Sequence, residues 1–206
     1  MQEVEKVLGH EEVVKHLKNA AAMDKVSHSY IFAGEKGSGK KLLAKLFAMT
    51  LQCEKHGKEP CLQCSSCKKA MNRNHPDIIY VSHEKPNSIG IEDIREQLIA
   101  DVDIKPYTGP YKVYIVDEAE KLTVQAQNAL LKTLEEPPAY AVFLLLAENQ
   151  TAFLPTILSR TVTLHIRPLP DTMVADYLEK KKGLSPADSA VYAAYAQGSI
   201  GQALDL

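Results

Sequence analysis

No apolar run in this 206-residue sequence approaches the roughly 20 residues that span a bilayer, so no contact with a membrane is expected. The opening stretch, MQEVEKVLGHEEVVKHL, is charged throughout and lacks the apolar centre of a signal peptide. A large excess of charge is also missing. The formal net charge is −2, which excludes a free-standing nucleic-acid binder driven by bulk electrostatics. Cysteine is absent everywhere except in one short window. What is present is ordinary globular material: 45% hydrophobic and 24% charged residues, enough to bury a full core. The length is more than one small domain and less than two large ones.

The window holds Cys53, Cys61, Cys64 and Cys67, spaced C-x7-C-x2-C-x2-C. Two overlapping C-x2-C units let successive sulfurs turn back onto one ion, and four thiolates suit tetrahedral zinc at roughly 2.3 Å. A closed shell of four predicts a structural zinc, because a catalytic one keeps a position open for water. Unrelated cytosolic thiols or a disulfide pair are the competing readings. No histidine is needed, and His56 reads as a solvated loop residue. Reduced, metal-competent thiols fit the cytoplasm. Around the cysteines charge is uneven: Lys36, Lys40, Lys41, Lys45, Lys55, Lys58, Lys68, Lys69 and Arg73 face only Glu35, Glu54 and Glu59. The excess, partly offset by zinc thiolates, reads first as a solvated face and second as a phosphate-facing one.

Elsewhere, strands alternate with helices. Val13, Val14, Leu17, Ala20 and Ala21 have helical spacing, and Tyr30–Ala33 is a short apolar strand before a Gly/Lys-rich loop. Leu42 to Thr50 continues as a helix into the cysteine insert. Strands are expected at 78–81, 112–117, 141–147 and 161–166, with helices at 91–102 and 123–136, the latter stopped by Pro137-Pro138. This pattern predicts a parallel α/β sheet wrapped by helices. From Asp171 only helical material follows. A boundary is therefore expected near residue 167, dividing an α/β domain (1–166) from a small helical one (167–206). The ending GSIGQALDL starts a helix without a stop signal, which suggests a chain cut before a further domain.

The loop Gly34-Glu35-Lys36-Gly37-Ser38-Gly39-Lys40-Lys41 reads G-x4-G-K-K, one residue short of a P-loop, which wants Ser or Thr last. Its glycines let backbone N–H groups form an anion nest at a helix N-terminus, and Lys40 would reach the β/γ phosphates. A second part follows in the right order: the strand ending Asp117-Glu118, where Asp117 would hold Mg2+ and Glu118 would polarise water. A glycine-rich turn and a strand-end acidic pair form the bland alternative. At position 41 the Mg2+-binding hydroxyl is replaced by a cation. ATP or ADP binding is therefore expected to be weak, Mg2+ short of a ligand, and hydrolysis inefficient.

Together, this P-loop with its cysteine insert, DEAEKLTVQAQNALLKTLEEPP and LPTILSRT resemble the clamp-loader subunits of bacterial DNA polymerase III, of the AAA+ class, over essentially the whole chain. The resemblance implies a P-loop NTPase-type sheet with a zinc-binding insert and a helical lid. Two subunit types share the outline, the gamma/tau motor and the delta-prime stator. Lys41, Gly201 (where the motor carries a nucleotide-sensing arginine) and the stretches His28–Phe32 and His75–Asp77 favour delta-prime. The intact Asp117-Glu118 pair is motor-like. Arg160 matches the family arginine that reaches a neighbouring subunit's ATP, although Thr161 replaces the family cysteine. A salt bridge or helix-end role is its structural alternative.

The resemblance further implies a hetero-pentamer with gamma/tau and delta subunits, acting in the cytoplasmic replisome on the sliding clamp and primer–template DNA. The chain's own ATPase would be small, and its link to nucleotidyltransferase activity would come through the polymerase holoenzyme. An active motor subunit of the same loader, or a zinc-dependent DNA-binding adaptor with a vestigial P-loop, are the alternatives.

Overall fold

The runs Ser29–Ala33, Lys112–Val116 and Ala141–Ala147 are buried at every position. Only a sheet covered on both faces leaves such strands no polar side. In the computed structural model, which describes residues 7–206, they form β1, β3 and β4; the charged stretch MQEVEK lies outside the described residues. With β2 (Ile78–Val81) and β5 (Val162–His165) they make one parallel sheet in the order β2-β3-β4-β1-β5. The strand expected at 161–166 is thus shorter at both ends.

Side chains alternate between the two faces. Tyr30 and Phe32 join the side packed by α1 (Glu11–Ala22) and α2 (Lys40–Leu51), where Tyr30 meets Phe47 edge-on at 5.4 Å. Ile31 and Ala33 face the other side, covered by the 91–102 segment and α6 (Val124–Glu135), where Tyr114 stacks on Phe143 at 5.4 Å. Thr123, the expected first residue, instead caps α6 by accepting from the Ala126 N–H at 3.2 Å, so the helix begins one residue later, at Val124. The helix expected at 91–102 is not uniform: α4 (Ile91–Ile94) widens into a π turn at Arg95–Ile99 before α5 (Ala100–Val102). Ile94, Leu98 and Val102 are all buried nonetheless.

A helix that the sequence reading lacked is α3 (Ser65–Met71). It is only seven residues long, too short for a periodic signal. Its N-cap is Cys64, whose sulfur accepts from the Cys67 N–H at 3.3 Å. After the short α7 (Pro155–Leu158) and β5 come α8 (Asp171–Lys182), α9 (Pro186–Ala196) and α10 (Ile200–Asp205), which share a small core of Val174, Leu178, Ala193, Ala196 and Ala203. Ser185 and Ser199 cap α9 and α10. Among the described residues no helix is long and apolar enough to cross a membrane.

Candidate nucleotide and metal sites

Cys53, Cys61, Cys64 and Cys67 converge with all four sulfurs within 4.8 Å of one another, and none is in a disulfide. Tetrahedral zinc with bonds of roughly 2.3 Å needs sulfurs a little under 4 Å apart, so the donor set fits that ion. Backbone N–H groups support the thiolates in sequence: Cys61 to Cys53 Sγ at 3.4 Å, Cys64 to Cys61 Sγ at 3.4 Å, and Cys67 to Cys64 Sγ at 3.3 Å. The Cys61 thiol is lowered to about 6, first by the Gln63 backbone N–H and then by that of Cys64. Burial and the neighbouring Cys64 and Cys53 sulfurs raise the Cys67 thiol, a conflict that a divalent cation would remove. His56 is exposed and stays outside the cluster.

Ser66, between two of the cysteines, ties this module to the sheet. Its hydroxyl donates to Gln52 O at 2.6 Å and lies 3.0 Å from His75 Nε2, while His75 Nδ1 accepts from the Asp77 N–H. That leaves His75 the Nε2–H tautomer, consistent with burial pushing its pKa down. We expect about one zinc per chain by elemental analysis of protein from metal-replete cells. Less than a tenth of an equivalent would refute a resident metal. Cys64→Ser should lower zinc retention and loosen α3 while leaving the α/β sheet folded.

In the phosphate loop, the Lys40 ammonium folds back onto the carbonyls of Gly34 and Glu35, the latter at 2.8 Å. Burial pulls its pKa down, against the pull of Glu148, Glu120 and Asp117. Gly37 and Gly39 carry φ of 76° and 94°, left-handed backbone that only glycine adopts without strain. The Ser38 hydroxyl is buried without a hydrogen-bond partner, as a loop shaped for a phosphate oxygen would leave it. The phosphate half of the site therefore fits a nucleotide. The metal half fits less well: Lys41 stands where a P-loop has its Mg2+-binding hydroxyl, and its exposed Nζ sits 2.6 Å from Asp117 Oδ2, the carboxylate that would hold Mg2+. Glu118 is also engaged, 2.8 Å from Lys121 Nζ and 3.4 Å from His83 Nε2. The Lys121 hydrogen bond holds its carboxyl below the usual range.

Helix α10 closes directly onto this loop. The Gly201 N–H donates to Gly37 O at 3.0 Å, Ser199 Oγ to Lys36 O at 3.0 Å, and Gln202 Nε2 to Lys36 O at 3.3 Å. A Cβ on Gly201 would lie 2.6 Å from Gly37 Cα, so the close approach requires glycine on both sides. Beside the contact is a cavity of about 160 Å3 lined by Leu8, His10, Leu42, Leu169, Tyr177 and Leu204. Sequence reading missed these residues. His10 and Leu169 are 159 positions apart (169 − 10), and no spacing signal joins them.

Arg160 lies elsewhere. Tyr30 pairs with Val162 and Ala33 with His165, so Arg160 precedes β5 at the end of the sheet opposite the phosphate loop, which follows β1. The length of a five-residue strand, about 16 Å, separates the two ends. Arg160 Nη2 pairs with Glu135 Oε1 at 2.8 Å, and Nη1 donates to Thr156 O at 3.0 Å. The buried Gln127 steers this corner. Its Nε2 donates to Ala152 O at 3.0 Å and its Oε1 accepts from the Leu154 N–H at 2.8 Å, just ahead of α7.

The family described as "DNA polymerase III, delta subunit" matches residues 9–170. The chain is 37% identical to the DNA polymerase III subunit tau/gamma of Haemophilus influenzae, over 97% of this chain and 30% of that protein. It is 41% identical to the tau subunit of Bacillus subtilis over 77% of the chain and 28% of the relative. It is 36% identical to the delta' subunit of the same organism over 81% and 50%. The chain thus spans about 30% of the length of the tau relatives. A gamma subunit-related protein of Thermotoga maritima shares the fold at a TM-score of 0.58 and 24% identity, covering 90% of this chain and 58% of that one. The RuvB Holliday junction branch migration motor of Thermotoga maritima shares it at 0.62 and 16%, covering 96% and 60%.

Proposed function

The chain belongs to the clamp-loader family of DNA polymerase III subunits, and on that premise we propose that it is a delta-prime-type stator, which supports ATP-driven loading of the sliding clamp without cycling nucleotide itself. One observation carries this reading: Lys41 occupies the place of the Mg2+-binding hydroxyl and sets its cation 2.6 Å from the Asp117 carboxylate that a motor subunit reserves for Mg2+. Metal ions bridge the β and γ oxygens in phosphoryl transfer, so losing this ligand weakens binding and transfer alike. Gly201, packed on Gly37 with no room for a side chain, supports the same reading, because the lid offers no arginine to a γ-phosphate. The intact Glu118 is held by Lys121 and His83. Identity alone does not separate the subunit types, at 36% for delta' against 37% and 41% for tau.

In this reading the zinc module is structural, and the gamma/tau and delta subunits, the clamp and primer–template DNA are the partners. The test is steady-state ATPase of the chain alone and with partner subunits. Negligible turnover alone, and stimulated turnover in the assembled loader, is the expected pair. Motor-like turnover by the chain alone, abolished by Glu118→Gln, would identify an active gamma/tau-type subunit instead. Lys41→Thr restores the hydroxyl and frees Asp117. It should raise nucleotide affinity about tenfold or more in Mg2+ and change it little in EDTA, as measured by titration with a fluorescent ATP analogue.

A further inference from the structure

We propose that the C-terminal end of α3 is a docking patch for duplex DNA, with Lys68, Lys69 and Arg73 gripping backbone phosphates without reading sequence. The choice of DNA as the polyanion rests on the clamp-loader reading. Lys68 and Lys69 fill the last turn of α3, and both are exposed. Arg73 lies two residues beyond the helix, also exposed, with its guanidinium 5.2 Å from the centre of the Tyr80 ring. Lys45 reaches the same place from α2, its ammonium 3.0 Å from Met71 O. The lysine is destabilised as a cation by burial and then by Arg73, so the charges sense one another.

Four cations therefore gather where α3 meets the β2 edge of the sheet. Among the described residues none of the four is in an ion pair. Glu54 is engaged at the opposite end of α3, accepting from the Ser66 N–H at 3.0 Å. Asp77 is buried, and its carboxylate oxygens accept from the 107–109 turn. A helix C-terminus favours lysines in its last turn. It does not account for Arg73, which lies past the helix on left-handed backbone with φ 55°. Phosphates are the natural counter-ions for such a group of ammoniums beside one planar guanidinium. Arg73 covers the half-buried Tyr80 ring, which is therefore not free to stack on a base. Backbone contact without sequence preference is what remains.

The experiment is fluorescence anisotropy of a labelled duplex of about 20 bp with the full chain, titrated between about 50 and 200 mM salt. Three to four phosphate contacts predict a slope of log K against log salt of about −3. The triple variant Lys68→Gln, Lys69→Gln, Arg73→Gln should flatten that slope and weaken binding at least tenfold at low salt, with zinc content and melting temperature unchanged. Lys55→Gln with Lys58→Gln, away from the patch, should leave the slope as it is. An unchanged slope in the triple variant, or no duplex binding by the parent chain, overturns the inference. Equal binding of poly-glutamate, lost in the same variant, also overturns it and assigns the patch to an acidic protein partner. Pull-down with partner subunits is scored separately. Assembly without patch-dependent DNA binding removes this inference and leaves the clamp-loader reading standing. Patch-dependent binding without assembly removes the reading and keeps the patch.

Discussion

Replacing Asp77 with Ala is expected to lower the melting temperature by about 10 °C, although its side chain touches neither candidate site. Its carboxylate is fully buried and accepts four hydrogen bonds: Tyr107 N–H at 2.6 Å, Thr108 N–H and Oγ1 at 2.8 Å each, and Gly109 N–H at 3.3 Å. Truncation would strand three backbone donors and leave a void. An unpaired buried donor costs about 1–3 kcal/mol, and water entering the exposed 107–109 turn recovers part of that. A net loss of about 3–4 kcal/mol follows, and a chain of this size melts about 2–4 °C lower per kcal/mol. Asp77→Asn keeps the volume but turns an amide NH2 toward these donors, so it should fall between the parent and the Ala variant. If the Ala variant melts within about 2 °C of the parent, the 107–109 turn is not anchored through this carboxylate.

The same carboxylate predicts a pH dependence. Burial alone would raise its pKa, but the hydrogen bonds from Tyr107, Thr108 and Gly109 outweigh burial and leave it lowered. A folded-state value below the unfolded one makes the stabilisation fully present above the ordinary range near 3.9. It is lost as pH falls through the folded value. Chemical denaturation between about pH 6 and pH 3 should therefore show an acid limb in the parent that is shallower in Asp77→Asn. Limbs of equal steepness would mean that other carboxylates control acid unfolding.

Asp77 also shows why part of this protein could be read in advance and part could not. Strands β1, β3 and β4 were visible as apolar runs, because a strand buried on both faces has no polar positions to hide it. The convergence of the four cysteines was visible because two overlapping C-x2-C units turn successive sulfurs toward one point. The P-loop was visible, and so was the misfit of Lys41, since a cation cannot serve as a metal ligand. The partner of Lys41 was not visible: Asp117 is 76 residues away (117 − 41), and the contact exists only because β3 lies near β1 in the sheet. The same applies to Gly201 against Gly37, to the cavity between His10 and Leu169, and to the 107–109 turn around Asp77. Helix α3 was missed for local reasons: it has only seven residues, and its cap is a cysteine rather than Ser, Thr, Asp or Asn.

Changing Arg160 to Ala should leave this chain folded and able to join its partners, yet slow ATP hydrolysis at one neighbouring site and impair clamp loading. The argument begins with position. Arg160 stands at the opposite end of the sheet from this chain's own phosphate loop, so any phosphate it serves belongs to another subunit. Its side chain is 35% exposed, and its present partners, Glu135, Thr156 O and Ser159 Oγ, are an exposed carboxylate, a helix-end carbonyl and an exposed hydroxyl. Such a surface pair is worth about 0–1 kcal/mol, so little stability is lost with it and little opposes its release toward a γ-phosphate. Gln127 fixes the approach to α7, which carries the arginine to this corner. An arginine supplied in trans accelerates phosphoryl transfer about 10³–10⁵-fold. In an assembly with more than one ATP site, as the proposed reading requires, total turnover should fall by much less than that, and single-turnover measurement at the adjacent site is the sharper readout. Arg160→Lys should rescue poorly, because an ammonium lacks the planar fork that binds two phosphate oxygens at once. Glu135→Ala removes the resting carboxylate partner alone and should leave hydrolysis intact. If Arg160→Ala assembles and loads clamps at the parent rate, the residue is only a helix-end cation paired with Glu135.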